Sequence, residues 1–223
     1  MHSSIVKNIA FPLHEKLLKR PTISYADELE KSQWLARDEI ELIQRKKLKQ
    51  LLNLAVEHCP WHKQRIIEAN IDLSAHNLLT LEDLTKIPTM SKQDAQLHGA
   101  AMTWLGVSGG AYKYTTGDSS GTPLNFHFGK WRQASDAAGR IRARRGWGID
   151  IGDKEVYLWG APVELAKTDK VKQIRDRLMN QVLLNAFDMS PTTMTQYLKT
   201  IQQYQPKCTN QYCYYFPWAC CRL

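Results

Sequence analysis

The sequence predicts an α/β protein, with a helical N-terminal segment followed by part of a layered α/β domain. Three observations carry that prediction. Apolar residues recur at three-to-four spacing from Tyr25 to about Asn70, the period changes to two around residues 112–128, and helical and strand-like stretches alternate from there to Tyr204.

In the first stretch Leu29, Trp34, Leu35, Ile40, Ile43, Leu48, Leu51, Leu52 and Ala55 form the helical pattern. Pro60 ends or kinks it, and a second helix is expected from Trp61 to Ala69. Leu78–Leu84 reads as a short helix. Ser91 is placed as an N-cap, with Asp94 three residues on, for a brief helix through Leu97. Tyr112–Thr115 is aromatic and β-branched, and Leu124, Phe126 and Phe128 alternate with Asn125 and His127, so a strand is expected on each side of residues 116–123. Trp131 to Arg145 reads as helix, Lys154–Trp159 as a buried strand, and Val171–Phe187 as one amphipathic helix. Ser190 with Pro191 opens a last helix through Tyr204, with Met194, Leu198 and Ile201 on one face.

Composition bounds the function. A chain of 223 residues with 43% hydrophobic and 23% charged residues is ordinary for a globular protein, which excludes collagen-like and wholly disordered classes. No apolar run approaches the roughly 20 residues of a membrane span, and the first twenty residues mix charge through their apolar positions, unlike a secretory signal. Four of the five cysteines (Cys208, Cys213, Cys220, Cys221) crowd the C-terminal end, where a secreted disulfide framework would spread them, so a cytoplasmic location is expected. The net charge of +8 has two dense spots, Arg45–Lys49 and Arg140–Arg145, both in helical segments and read as solvated faces. Trp104, Trp147 and Trp159 are read as core or near-core aromatics. His58 and His62 stand four apart but are separated by Pro60, so they do not share a regular helix face as a metal-binding pair would, and no protein metal site is expected.

One loop asks for a chemical explanation. Thr116-Gly117-Asp118-Ser119-Ser120-Gly121-Thr122-Pro123 lies between two strands. Its glycines allow backbone N–H groups to converge on one anion, and Thr116, Ser119, Ser120 and Thr122 add hydroxyl donors. A phosphate group suits such a loop. It is not a Walker A loop, because three residues rather than four separate Gly117 and Gly121 and no Lys comes next. A polar hairpin turn is the plainer alternative. Gly117–Gly121 also satisfies G-x-S-x-G, the nucleophile elbow of a serine hydrolase, with Ser119 as nucleophile. That reading lacks the helix after the elbow, and His127 is the last histidine of the chain. A third reading, a basic nucleic-acid-binding module, rests on Arg140, Arg142, Arg144 and Arg145 without an aromatic platform for bases.

The order of these features resembles the adenylate-forming enzymes, in particular the phenylacetate–CoA ligase-like proteins associated with capsular polysaccharide biosynthesis. Thr116–Pro123 (TGDSSGTP) is similar to their phosphate loop, which reads roughly T-G-G-S-T-G-x-P, with Asp118 and Ser120 as departures. Cys59-Pro60-Trp61 after the first long helix is similar to the family's Pro-aromatic turn. Ile87-Pro88-Thr89-Met90-Ser91-Lys92 is similar to its P-x-x-x-K segment. Gly146-Trp147-Gly148, Gly152-Asp153 and Leu158-Trp159-Gly160 are similar to the family's segment C-terminal to the phosphate loop. The resemblance covers about Tyr25 to Lys207.

It implies a ligase that joins ATP to a small carboxylic acid, releases pyrophosphate, and passes the acyl group to CoA or a similar thiol, with Mg²⁺ on the phosphates. The loop's Thr116, Ser119, Ser120 and Thr122 hydroxyls and the Gly117 and Gly121 backbones are the implied phosphate ligands. Asp118 would repel phosphate unless it faces Mg²⁺ or solvent. Family members are much longer, and their adenine- and ribose-binding motifs and mobile C-terminal domain have no counterpart here. The expected organisation is a mostly helical region over 1–100, a partial nucleotide-binding α/β region over 101–207 with a truncated large domain, and a Cys/Tyr-rich tail over 208–223 of the kind an out-of-frame translation gives. A chain so composed is expected to be inactive alone.

Overall fold

In a computed structural model the described residues are 1–74, 79–116, 123–159, 169–186 and 189–211. The chain opens in a helix that the sequence pattern did not announce. It runs through α1 (Ser3–Ile5), a π-helical segment (Val6–Ala10) and α2 (Phe11–Leu17). The His2 ring accepts from the Ser4 N–H at 3.3 Å. The π turn has its cause in Pro12, which has no N–H to donate and whose ring crowds the preceding turn. The widened turn makes room, and the Phe11 N–H bonds the Val6 carbonyl five residues back.

Packing groups Met1–Ile23 with Ala138–Leu223, and Ser24–Ala137 as a second unit. The divisions at 100 and 207 expected from sequence follow chain order, whereas this grouping follows packing, because the N-terminal helix joins residues more than a hundred positions away.

In the second unit α3 (Thr22–Ser32) and α4 (Arg37–His58) replace the continuous first stretch. The break falls at Gln33–Ala36, where the Ala36 N–H donates to Glu39 Oε2 at 3.0 Å to start α4. Trp34, counted in the helical pattern, is 83% exposed. Extended Cys59 then separates α4 from α5 (Pro60–Glu68), which opens on Pro60. Leu52 and Ile66 of these helices bury with Leu79, backed by Leu48, Val56, Ile71 and Ile87. The short helices α6 (Leu81–Thr85) and α7 (Lys92–His98) carry reciprocal caps, Thr80 with Asp83 and Ser91 with Asp94. A bond from Lys86, with the Thr80 N–H and hydroxyl, holds the Asp83 carboxyl down at about 2. The strands β1 (Ala111–Thr115) and β2 (Asn125–Gly129) pair antiparallel, and α8 (Lys130–Arg145) comes next.

In the first unit β3 (Glu155–Trp159), β4 (Gln181–Asn185) and β5 (Cys208–Gln211) form a parallel sheet in the order β4-β3-β5, joined through α9 (Asp169–Leu178) and α10 (Pro191–Tyr204). The single helix expected over Val171–Phe187 is therefore a helix and a strand. Asn180, at φ +58°, ends the helical path, and the apolar run Val182-Leu183-Leu184 continues as β4. Strand β5 takes the first four residues of the segment read as a tail.

Period-two alternation on β3 sends Val156 and Leu158 to one face, where they bury with Leu184 and with Ile201 of α10. Glu155 and Tyr157 point to the other face, toward Arg144 of α8. This is the layered α/β arrangement expected from the sequence. Ser190 caps α10 by accepting from the Thr193 N–H, with Pro191 at its first position, as expected. At Gly152, with φ +88°, a Cβ would lie 2.4 Å from the Ser3 carbonyl oxygen, so the N-terminal helix requires glycine there. Trp147, read as near-core, is 85% exposed, in the turn where the Trp147 and Gly148 N–H groups close onto the end of α8.

Candidate functional site

The hairpin β1–β2 holds the candidate phosphate loop. Its register pairs Ala111 with Gly129, Tyr112 with Phe128, Lys113 with His127, Tyr114 with Phe126 and Thr115 with Asn125. The neck of the loop closes one residue further. The Thr116 N–H donates to the Leu124 carbonyl at 3.0 Å, and the Leu124 N–H returns a bond to Thr116 Oγ1 at 3.0 Å. Thr115 Oγ1 donates to Asn125 Oδ1 at 2.8 Å. Thr116 thus uses its oxygen as an acceptor to fix the neck and keeps its hydroxyl proton for another partner. Gly117, Ser119, Ser120, Gly121 and Thr122, with Asp118, lie outside the described residues.

Cross-strand pairs share a face, so the hairpin has an aromatic side and a polar side. On the first, Tyr114 meets Phe126 with ring centroids 5.3 Å apart and Phe128 at 5.7 Å, and Tyr112 meets Phe128 at 6.2 Å. The Arg132 guanidinium lies 5.4 Å from the Phe128 ring centre. Lys113, Thr115, Asn125 and His127 occupy the second side.

The hydrolase alternative finds no support. The chain enters strand β2 after Ser119, where the elbow requires a helix, and no carboxylate stands between Ser119 and His127. The nucleic-acid alternative also finds none: Arg144 is 2.6 Å from Glu155, and Arg145 is 2.9 Å from Asp150.

Sequence reasoning missed a second location. A parallel sheet in the order β4-β3-β5 sends its connections to opposite sides of β3, and ligands in such sheets bind outside the carboxyl ends at that switch. Here those ends are Trp159, Asn185 and Gln211. The apolar run at 182–184 was the signal that could have found it, and the helical period assigned across it concealed the strand.

The amino-terminal end of the same sheet carries a buried polar network. Glu155 Oε2 accepts from Arg144 at 2.6 Å, the Tyr157 hydroxyl at 2.9 Å and Asn210 Nδ2 at 3.1 Å. Burial, reinforced by the Glu155 charge, pushes the Tyr157 phenol up to about 12. These bonds tie α8, β3 and β5 together.

His58 stacks on Trp104 with ring centres 3.8 Å apart, and His62 meets the edge of Trp61 at 5.1 Å. Burial and the neighbouring Arg65 lower the His62 pKa. These are packing contacts, and among the described residues no group of three His, Cys, Asp or Glu side chains is placed to hold a metal ion.

No protein-family model matches the chain, and no curated protein matches it in sequence. Solved structures do. The chain is similar to 2-hydroxyisobutyryl-CoA ligase with 2-HIB-AMP and CoA in the thioesterification state (18% identity, TM-score 0.57, 78% of this chain and 37% of that one). It is similar to an open conformation of that ligase with the same ligands (20% identity, TM-score 0.56, 78% and 41%), and to its postadenylation state with 2-HIB-AMP (18%, 0.55, 78% and 37%). The chain spans about two fifths of the length of these ligases. What it shares with them is the fold, a partial domain of mixed helix and sheet.

Proposed function

We propose that the chain is a portion of an ATP-dependent carboxylate-activating ligase, and that the loop on the β1–β2 hairpin holds the nucleotide's phosphates. The observation that carries this reading is a hydroxyl- and glycine-rich loop on a hairpin neck, in a chain with the fold of a CoA ligase. Thr116, Ser119, Ser120 and Thr122 would donate hydroxyls and Gly117 and Gly121 backbone N–H groups. Thr116 fits that task, since Leu124 occupies its oxygen as acceptor and leaves its proton to donate.

Apart from Asp118, the loop offers donors rather than metal ligands, so it fits phosphate oxygens directly and leaves Mg²⁺ to arrive with the nucleotide. Bound there, Mg²⁺ would neutralise charge on the phosphates. The acid would be a small organic carboxylate and the acceptor CoA. The phenylacetate–CoA ligase-like, capsular-polysaccharide-associated branch is the subfamily we assign on the loop sequence. With about two fifths of a ligase's length, the chain is expected to bind nucleotide without completing adenylation.

A fluorescent ATP analogue titrated into the purified chain with Mg²⁺ tests the loop, and pyrophosphate exchange with a panel of organic acids tests turnover. Binding that weakens at least about tenfold in Ser119→Ala/Ser120→Ala/Thr122→Ala, at about 1.4 kcal/mol per tenfold, is the expected result. Equal binding by the variant sinks the loop assignment, and robust exchange overturns the expectation of inactivity.

A further inference from the structure

The N-terminal helix presents a feature that nucleotide chemistry does not use. Ile5, Ile9, Leu13 and Leu17 are spaced four apart and are 47, 62, 54 and 73% exposed. In a regular α-helix each four-residue step drifts by about 40° around the axis, and four such residues would spiral off one face. The π-helical segment Val6–Ala10 has a wider turn, which counters that drift. The insertion forced by Pro12 therefore keeps the four side chains in one stripe. The opposite side is fixed to the protein: Val6 is fully buried, Ser3 packs against Gly152, and Lys7 reaches Asp150 at 2.6 Å.

The exposed charge of the first twenty residues has one sign. Residues 1–20 contain Lys7, Lys16, Lys19 and Arg20 against the single acid Glu15. Glu15 is buried, bonded to Thr22 and at 2.9 Å from His14, so its carboxylate does not face outward with the stripe. Lys16 and Lys19 are exposed and bracket Leu17 in the sequence, Lys19 just past the end of the helix. An apolar ridge with exposed lysines at its C-terminal end complements a surface that is apolar within and anionic at its rim. We propose that this helix lies in the plane of an anionic membrane surface, with Ile5, Ile9, Leu13 and Leu17 among the acyl chains and Lys16 and Lys19 at the headgroups. Another protein surface would have to bring carboxylates to these lysines around an apolar groove, whereas an anionic bilayer supplies both features at every point.

Flotation of the full chain with vesicles tests this. Phosphatidylcholine vesicles with about a third phosphatidylglycerol are expected to carry the protein upward, and pure phosphatidylcholine vesicles at least about tenfold less. Ile9→Asp/Leu13→Asp should abolish flotation with an unchanged far-ultraviolet circular dichroism spectrum, since both side chains are exposed. Lys16→Glu/Lys19→Glu should remove the preference for anionic vesicles. Absence of flotation, or equal flotation of wild type and the aspartate variant, overturns the proposal. So does a dimer seen by sedimentation that Ile9→Asp/Leu13→Asp dissolves, because the stripe would then be a contact between copies of this chain. Nucleotide binding is read separately, so neither proposal falls with the other.

Discussion

In the β1–β2 hairpin Tyr112, Tyr114 and Phe126 stand exposed beside a loop of donors, whereas in the β4-β3-β5 sheet Val156 and Leu158 are buried on one face and Glu155 on the other. A two-stranded ribbon has no second layer to bury its aromatic face, and its geometry rests on ladder bonds and the Thr116–Leu124 neck. The parallel sheet has α10 on one side and the Arg144–Glu155 pair on the other, and Asn210 reaches Glu155 from 55 residues away. The contrast sets a candidate loop on a hairpin with an exposed aromatic side against a sheet whose two faces are covered.

The largest effect is expected at Glu155. Glu155→Ala removes the acceptor of three donors and leaves the Arg144 guanidinium without its 2.6 Å partner in a mostly buried setting. A loss of about 3–5 kcal/mol is expected, read as a fall in the urea midpoint. Glu155→Gln should cost less, because its amide oxygen can still accept from Tyr157 or Asn210. If the alanine variant unfolds at the wild-type midpoint, the sheet is not the stable partner in the comparison.

That network also shows what the sequence could and could not disclose. Local signals were readable: the Ser190-Pro191 start of α10, the Ser91–Asp94 cap and the strand–loop–strand pattern around residue 116 all depend on neighbours in the chain. Pairings between segments distant in the chain were not. At 181–185 the apolar run Val182-Leu183-Leu184 fits a buried helix turn as well as a strand, and its pairing with β3 decides. Nothing in residues 208–211 announces β5, whose pairing depends on β3 and whose Asn210 reaches Glu155. Trp34 and Trp147 misled because hydrophobicity predicts burial only where the backbone keeps its period, and both sit at helix breaks. In the candidate site, Thr116 to Thr122 was legible as donor-rich chemistry, while the role of Thr116 in closing the neck needed the register of both strands.

A smaller effect is expected from pH in the first unit. Burial alone would raise the Asp150 carboxyl, but bonds from Lys7, Arg145 and the Ile151 N–H outweigh it and bring the pKa to about 2, from an ordinary 3.8. A carboxylate whose folded pKa is depressed contributes stability above its unfolded pKa, and that contribution is lost as pH falls through the folded one. The first unit should therefore weaken between pH values of about 4 and 2 more steeply than Asp150→Asn does in the same range. Thermal midpoints of the two proteins, measured across that window, check the sign. Parallel curves would mean that the Lys7 and Arg145 contacts do not persist in solution.

The smallest effect is expected where the side chains look most conspicuous. Tyr114 is half exposed, so its ring contacts with Phe126 and Phe128 together add no more than the upper end of a cross-strand pair, about 1 kcal/mol. Tyr114→Ser leaves the ladder bonds to Phe126 in place, so the urea midpoint should move by the equivalent of less than about 1 kcal/mol. The same substitution loosens the strand two residues before Thr116, where the neck is held by one pair of bonds, and ATP-analogue binding should weaken by a few-fold while the fold persists. A variant with wild-type binding and a large loss of stability would reverse the comparison. The aromatic face would then be a core in its own right, and the phosphate loop would sit on the rigid part of the molecule.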